Sequence, residues 1–394
     1  MKQLIDNREK PKRALLVGIR DEKISRSESD SLSAELAGLA DTLGFEIAGQ
    51  ETARVREHTS QFGMGSGKAR EIAEKAAELG VDCVVFDRDI SPSLQRNWEK
   101  LTGIAAVDRQ ELIIRIFSQR ARTREAELQV ALAEQTYSLP RLSHKYIDLS
   151  RQRGGRYGTK GSGETRLETD RRLALRRIQQ LREELAEVRK QRAVQRNKRR
   201  KAGIPSCALV GYTNAGKSSL LNALTLPGAA SPGEGVLVED KLFATLDPTV
   251  RRMKTRGGKP ILLIDTVGFI RRLPHDLVDA FRATLEEVSL ADILIHILDA
   301  SDPEADKYYE TTTAVLRDLE ADRHPMVVVL NKIDKLDAGP DGGPDDGPSD
   351  GLGELQSRYP GSIPVSTRDR RGLDELVRRV ETEAARLFQT SGKP

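Results

Sequence analysis

At 394 residues the chain is too long for one core, and 38% hydrophobic against 31% charged residues describe two to four soluble domains with modest cores. Lys+Arg 64 almost balance Asp+Glu 60, leaving +4, so the chain is not uniformly basic or acidic. Met1–Asn7 has no apolar signal region, no apolar run could span a bilayer, and the two cysteines, Cys83 and Cys207, lie in separate strand-like runs; this excludes a membrane protein and a disulfide framework, and a cytoplasmic location is expected.

In chain order, Ala14–Ile19 reads as a strand, a helical pattern runs from Ser31 to Leu43, and Phe45–Val55 alternates like a second strand. Gly63–Lys68 opens a helix reaching Leu79, Val81–Phe86 is a buried strand, Ser91-Pro92 starts another helix with a cap and a proline at its first position, and Ile104–Val107 closes the region. Alternating strands and helices predict a small α/β domain with a parallel sheet over residues 1–110. Gly63–Lys68 fits neither common phosphate-loop spacing and follows no buried strand. It reads as a flexible loop that could face RNA, with a second nucleotide site as the alternative.

From Glu111 to Tyr137 the stripe Ile114, Phe117, Ala121, Leu128 and Leu132 is helical, and from Thr169 to Arg196 the seam Ala174, Ile178, Leu181, Leu185 and Val188 predicts a second helix. The two are expected to pack as an antiparallel hairpin over 111–202, with a basic, glycine-punctuated tip at about 150–165. Arg141, Lys145, Arg151, Arg153, Arg156, Lys160 and Arg166 belong to that tip, and Lys198–Lys201 ends the second helix. Glu183, Glu184 and Glu187 could neutralise the middle of the helix but not its ends, so RNA contact is expected.

Gly211-Tyr212-Thr213-Asn214-Ala215-Gly216-Lys217-Ser218 fits G-x-x-x-x-G-K-[ST], between a strand-like Ser206–Val210 and a helical Ser218–Leu224. In that context the glycines let backbone N–H groups cradle phosphates, Lys217 reaches the β- and γ-phosphates, and Ser218 ligates Mg²⁺. Downstream, Phe243-Ala244-Thr245-Leu246-Asp247 supplies a threonine for an effector loop, where Thr245 can join the Mg²⁺ shell only while γ-phosphate is present. Asp265-Thr266-Val267-Gly268 ends a buried strand as D-x-x-G, with Asp265 holding the metal through water and the Gly268 N–H meeting the γ-phosphate. Asn331-Lys332-Ile333-Asp334 is N-K-x-D, whose final carboxylate suits the two N–H donors of guanine and not adenine. Ile363–Thr367 reads as a last strand, and the backbone amides of Ser366, Thr367 and Arg368 are expected to meet the guanine oxygen. The order and strand context predict a P-loop GTPase domain with a mostly parallel sheet over 203–390, binding GTP and GDP.

Phe269 stands where Ras-like GTPases carry the glutamine that orients water, so either intrinsic hydrolysis is slow or other groups position the water. Asn214 could hold a potassium ion against the phosphates, or could only shape its loop. Lys217, Thr245 and Asn214 are thus the catalytic candidates, and Ser218 and Thr245 the metal ligands.

With these motifs the chain resembles the HflX family of GTPases, in the Obg–HflX superfamily. The likeness extends to QRARTR at Gln119–Arg124, LPRL at Leu139–Leu142 and GSGETRLETDRR at Gly161–Arg172. It implies a monomeric, cytoplasmic GTPase that binds the large ribosomal subunit and its rRNA and splits or recycles stalled ribosomes under stress. Two departures stand out: a low-complexity insertion at Ala338–Gly353, read as a disordered loop, and a short tail after the helix ending near Phe388, where some relatives carry a further domain. Two other readings remain open from the residues: an rRNA-remodelling, helicase-like factor using ATP at Gly63–Lys68, and a GTP-gated RNA-binding regulator of ribosome assembly.

Overall fold

A computed structural model describes residues 12–56, 59–142, 162–201, 203–225, 241–255, 257–258, 260–272, 285–337 and 351–390, with side chains in the helix 162–201 described for 168–194. Most of the basic tip, residues 338–350 of the insertion, and the Lys198–Lys201 side chains lie outside these. The chain forms two compact units, residues 1–119 with 130–182, and residues 120–129 with 183–394.

In the first unit, four parallel strands, β1 (Arg13–Arg20), β2 (Glu46–Arg54), β3 (Cys83–Phe86) and β4 (Ala105–Val107), lie in the order β2-β1-β3-β4. Helices α1 (Arg26–Thr42), α2 (Ser66–Leu79), α3 (Pro92–Thr102) and α4 (Arg109–Arg120) connect and cover them. The local chemistry fixes the ends: Ser25 accepts from Glu28 N at 3.1 Å and Ser91 from Leu94 N at 3.2 Å, while Gly80 and Gly103 close α2 and α3 in the left-handed region. The core gathers Leu15, Val17, Ile72, Val84, Phe86 and Trp98. Trp98 is fully buried against Phe62 and Phe86, with its indole N–H satisfied by the Phe62 carbonyl at 3.1 Å.

The helical stripe that starts at Glu111 does not continue unbroken to Tyr137: α4 stops at Arg120 and α5 (Arg124–Ser138) begins after a break. Thr123 causes the break by capping α5, its hydroxyl accepting Ala126 N at 3.2 Å. Arg141, counted with the basic tip, is instead held within the first unit. Its guanidinium lies over the Tyr137 ring at 3.5 Å and bonds to Asp108 at 3.0 Å and the Ile90 carbonyl at 2.9 Å. Helix α6 (Ser162–Lys201) runs for 40 residues and buries Ile178, Leu181 and Leu185, the middle of the seam its spacing predicts, while Ala174 and Val188 at the seam's ends are half-buried.

The second unit carries β5 (Ser206–Gly211), α7 (Lys217–Thr225), β6 (Thr249–Met253), β7 (Ile261–Asp265), β8 (Ile293–Asp299), α8 (Ala305–Asp318), β9 (Met326–Asn331), α9 (Asp334–Asp337), α10 (Gly351–Arg358), β10 (Ile363–Pro364) and α11 (Leu373–Thr390). The sheet order is β10-β9-β8-β5-β7-β6, parallel except for β6 against β7. Continuous apolar runs such as Cys207–Val210 and Ile293–Ile295 suit strands buried on both faces. The carboxyl ends of β5, β7 and β9 then carry the three polar motifs to one edge, where open α/β sheets bind ligands.

Candidate nucleotide-binding site

The loop after β5 closes because two positions have no room for a side chain. At Gly211 (φ 148°) a Cβ would sit 2.3 Å from the Ile297 carbonyl oxygen, and at Gly216 (φ 94°) 2.2 Å from the Asn331 amide. Asn214 takes the left-handed conformation at φ 61°. Lys217, at the start of α7, is buried, and its ammonium donates to the carbonyls of Gly211 at 3.1 Å and Tyr212 at 2.6 Å. Burial pushes its pKa down to about 8 against the pull of Asp265, and Lys332 adds to the lowering.

Ser218 donates to the Asp265 carboxylate at 2.6 Å, and the Ser218 and Thr245 hydroxyls lie 2.9 Å apart. These three oxygen-bearing side chains converge on one point. Burial raises the pKa of Asp265, and the Ser218 hydroxyl and the Lys217 charge oppose that rise. An open cleft of about 440 Å³, its solvent-filled mouth included, is lined by Thr213, Asn214, Gly216, Lys217 and Ser218 from the first loop, by Phe243, Ala244 and Thr245 from the effector loop, and by Thr266 and Gly268. Lys241 also lines it, and sequence reasoning passed over this residue. The available signal was a lysine two positions before Phe243, beside the effector-loop motif.

Beneath the cavity, Tyr212 is buried and stacked on Tyr308 with centroids 3.9 Å apart, while its hydroxyl accepts the Arg271 N–H at 2.8 Å. Thr213 N donates to the Phe269 carbonyl at 2.8 Å and Phe269 N to the Gly211 carbonyl at 3.1 Å, so the strand after Gly268 is stitched to the first loop. A Cβ on Gly268 would approach Thr213 Cα to 2.8 Å. The Phe269 ring is buried and is not part of the cavity wall. Ala215, Leu246 and Val267 are buried, and the Thr266 hydroxyl is spent on the Leu209 carbonyl at 2.6 Å. Asp247 points away from the cavity, onto Thr123.

At the end of β9, Asn331 is fully buried and donates to the Ala215 carbonyl at 2.9 Å. Lys332, at φ 63°, pairs with Asp299 at 2.7 Å, Ile333 is buried, and Asp334 accepts from the Ser366 hydroxyl at 2.7 Å. Thr367 is half-buried and Arg368 exposed.

The segment before α2 is built differently. The Lys68 ammonium lies 2.6 Å from Glu71 and 3.1 Å from Glu51, and Glu51 also meets Lys75 at 2.5 Å. Glu71 leads the causes that raise the Lys68 pKa. A phosphate here would meet two carboxylates.

Three family models match the chain: one described as GTP-binding GTPase N-terminal over residues 30–118, one as GTP-binding GTPase Middle Region over 120–199, and one as 50S ribosome-binding GTPase over 206–332. The GTPase HflX of Akkermansia muciniphila is 48% identical over 341 residues, covering 84% of this chain and 76% of that protein. The GTPase HflX of Magnetococcus marinus is 41% identical over 378 residues, 96% of this chain and 86% of the relative.

The chain belongs to the HflX GTPase family.

Its G domain therefore hydrolyses GTP, and the family uses Mg²⁺ with that nucleotide. The donor set in this HflX chain fits such an ion: two hydroxyls and a carboxylate, all oxygen, with Ser218 within hydrogen-bond distance of both Thr245 and Asp265, suit a hard divalent cation. Among solved structures, a GTP-binding protein from the archaeon Sulfolobus solfataricus in complex with GDP is 24% identical, with 95% of this chain and 99% of that chain covered at a TM-score of 0.47. No helix among the described residues is long and apolar enough to cross a membrane.

Proposed function

We propose that this GTPase binds the large ribosomal subunit and uses GTP binding and hydrolysis to split stalled or idle ribosomes, as a monomer in the cytoplasm. The observation that carries this reading is helix α6, on which Arg171, Arg172, Arg176 and Arg182 are all exposed. A row of guanidiniums on a stiff rod suits the phosphates of folded RNA. The description of the matched G-domain model as a ribosome-binding GTPase points the same way.

In this reading Lys217 exchanges the Gly211 and Tyr212 carbonyls for the β- and γ-phosphate oxygens, and the Gly268 N–H meets the γ-phosphate. Ser218 and Thr245 would hold Mg²⁺ with the Asp265 carboxylate close by, and the ion would supply charge neutralisation of the phosphates. Thr245 thereby senses the γ-phosphate. Asp334 would select guanine, the amides of Thr367 and Arg368 would meet the base oxygen while the Ser366 N–H is taken by the Arg371 carbonyl at 3.1 Å, and Asn331 braces the phosphate loop. Asn214, at φ 61°, shapes the loop and would also offer an oxygen to a potassium ion beside the phosphates. With Phe269 buried, the attacking water is placed by other groups and unstimulated turnover is slow.

Co-sedimentation with purified large subunits tests the partner. Binding is expected with a non-hydrolysable GTP analogue and not with GDP, and an Arg171→Glu/Arg172→Glu/Arg176→Glu variant should lose it while still binding nucleotide. Equal sedimentation in both nucleotide states, or light scattering that shows no dissociation of 70S particles, would overturn the reading.

A further inference from the structure

The effector loop is fastened at both ends, and one fastening lies outside the nucleotide site. Thr245 bonds to Ser218 at 2.9 Å. Two residues on, the Asp247 carboxylate accepts the backbone N–H of Arg122 at 3.0 Å, that of Thr123 at 3.3 Å, and the Thr123 hydroxyl. Leu246 between them is buried, so the two polar ends project from a packed centre. Thr123 is also the cap of α5, accepting Ala126 N through its hydroxyl and Glu127 N at 3.0 Å through its carbonyl. Asp247 thus fastens the chain where it enters α5, satisfying the N–H groups of Arg122 and Thr123 and binding the hydroxyl of the capping residue itself. All these residues belong to the same compact unit.

We infer that Asp247 and Thr123 are positioning residues for GTP hydrolysis: their bond holds the effector loop so that the Thr245 hydroxyl reaches the Ser218–Asp265 cluster. The spacing enforces this. Only Leu246 separates the two contacts, and an extended pair of residues spans about 7 Å, so Thr245 cannot withdraw far without pulling Asp247 from its helix. A carboxylate receiving three donors at a helix start is a charge-assisted anchor, stronger than a neutral hydrogen bond. Linkage makes the effect reciprocal: whatever favours the closed loop favours the fastened entry to α5, and whatever orders the start of α5 favours the closed loop. Arg124, the first residue of α5, meets Glu184 of α6 at 2.5 Å, but both ends are partly solvated and this pair adds little. The inference rests on Thr245 as the γ-phosphate sensor and needs no ribosome.

The experiment is intrinsic GTP hydrolysis by the full chain without ribosomes. Asp247→Ala and Thr123→Ala should each lower kcat about tenfold with KM for GTP and affinity for GDP changed less than about twofold, since the groups act only in the closed loop. Thr123→Ser keeps the hydroxyl and should restore kcat, which a loss of packing would not allow. The Asp247→Ala/Thr123→Ala double variant should be no slower than either single one. The Mg²⁺ concentration for half-maximal binding of a GTP analogue should rise in both single variants, and that for GDP should not. If Asp247→Ala keeps the parental kcat and Mg²⁺ requirement while Thr245→Ala loses them, the anchor has no positioning role. If Thr245→Ala is also unchanged, the sensor reading itself fails.

Discussion

The Asn331 side chain donates to the Ala215 carbonyl at 2.9 Å, so the residue that opens the guanine motif also supports the phosphate loop. Asn331→Ala removes the donor and leaves a buried carbonyl unsatisfied, at a cost of about 1–3 kcal/mol. Affinity for GTP and GDP should fall together, about tenfold or more. Titration with a fluorescent guanine nucleotide checks this; a loss confined to the triphosphate would contradict it.

Gly216 and Gly67 make a contrasting pair. Gly216→Ala forces a Cβ into the Asn331 amide from a φ that disfavours side chains, so nucleotide binding should be lost and the melting temperature lowered. Gly67 has nothing within 4 Å of its Cβ position and lies in α2, where alanine is the better helix former. Gly67→Ala should raise stability by about 0.5–1 kcal/mol and leave nucleotide binding unchanged. Thermal melts with and without GDP separate the two outcomes, and weakened ATP or GTP binding in Gly67→Ala would revive a phosphate site before α2.

His296 should make the G domain acid-labile. It is fully buried on β8, stacked on Tyr309 with centroids 4.8 Å apart, and its ring nitrogens have no hydrogen-bond partner among the described residues. Burial, aided by the Lys217 charge, pushes its pKa down to about 3. The depressed value means that the unfolded chain takes up a proton between about pH 6.5 and 3 that the folded chain refuses. This stability is complete above the unfolded pKa and is lost at about 1.4 kcal/mol per pH unit as the pH falls. His296→Phe keeps the stacking and removes the titration, so its acid-unfolding midpoint by circular dichroism should move to lower pH. Coincident midpoints would refute the assignment.

Lys241 adds a second cation to a cavity wall that, among the described residues, contains no carboxylate. Being exposed, it should act mainly on the most highly charged ligand. Lys241→Ala should weaken GTP binding by about 1 kcal/mol, GDP binding by less, and flatten the salt dependence of GTP association. Parallel titrations at two ionic strengths decide it.

The parts legible in the sequence were those whose local backbone admits few residue types. Gly211 and Gly216 are dictated by carbonyl and amide groups that leave no space for a Cβ, and so the loop declares itself. Ile178, Leu181 and Leu185 likewise follow from helical period, because burial is on one side. The rest depended on partners far along the chain. Thr123 breaks a helical stripe because Asp247, 124 positions away, fastens it where the chain enters α5. Arg141 leaves the basic tip because Asp108 and Ile90 offer it oxygen. Lys68 resembles a phosphate ligand until Glu51 is brought beside it. None of these pairings has a period or a spacing from which to read it.

The sheet order also has a consequence for how the protein is made. In the first unit, β1 has both its strand neighbours by Phe86. In the second, β5 waits for β7 and β8, and Ser206 bonds to Asp292, 86 residues downstream. At ordinary rates of synthesis, roughly 90 residues take about 5–20 s, during which the apolar Cys207–Val210 edge has emerged without its neighbours. The strand that later presents the phosphate loop is therefore the segment of the nascent G domain most exposed to mispairing, and chaperone contact during translation should fall on it.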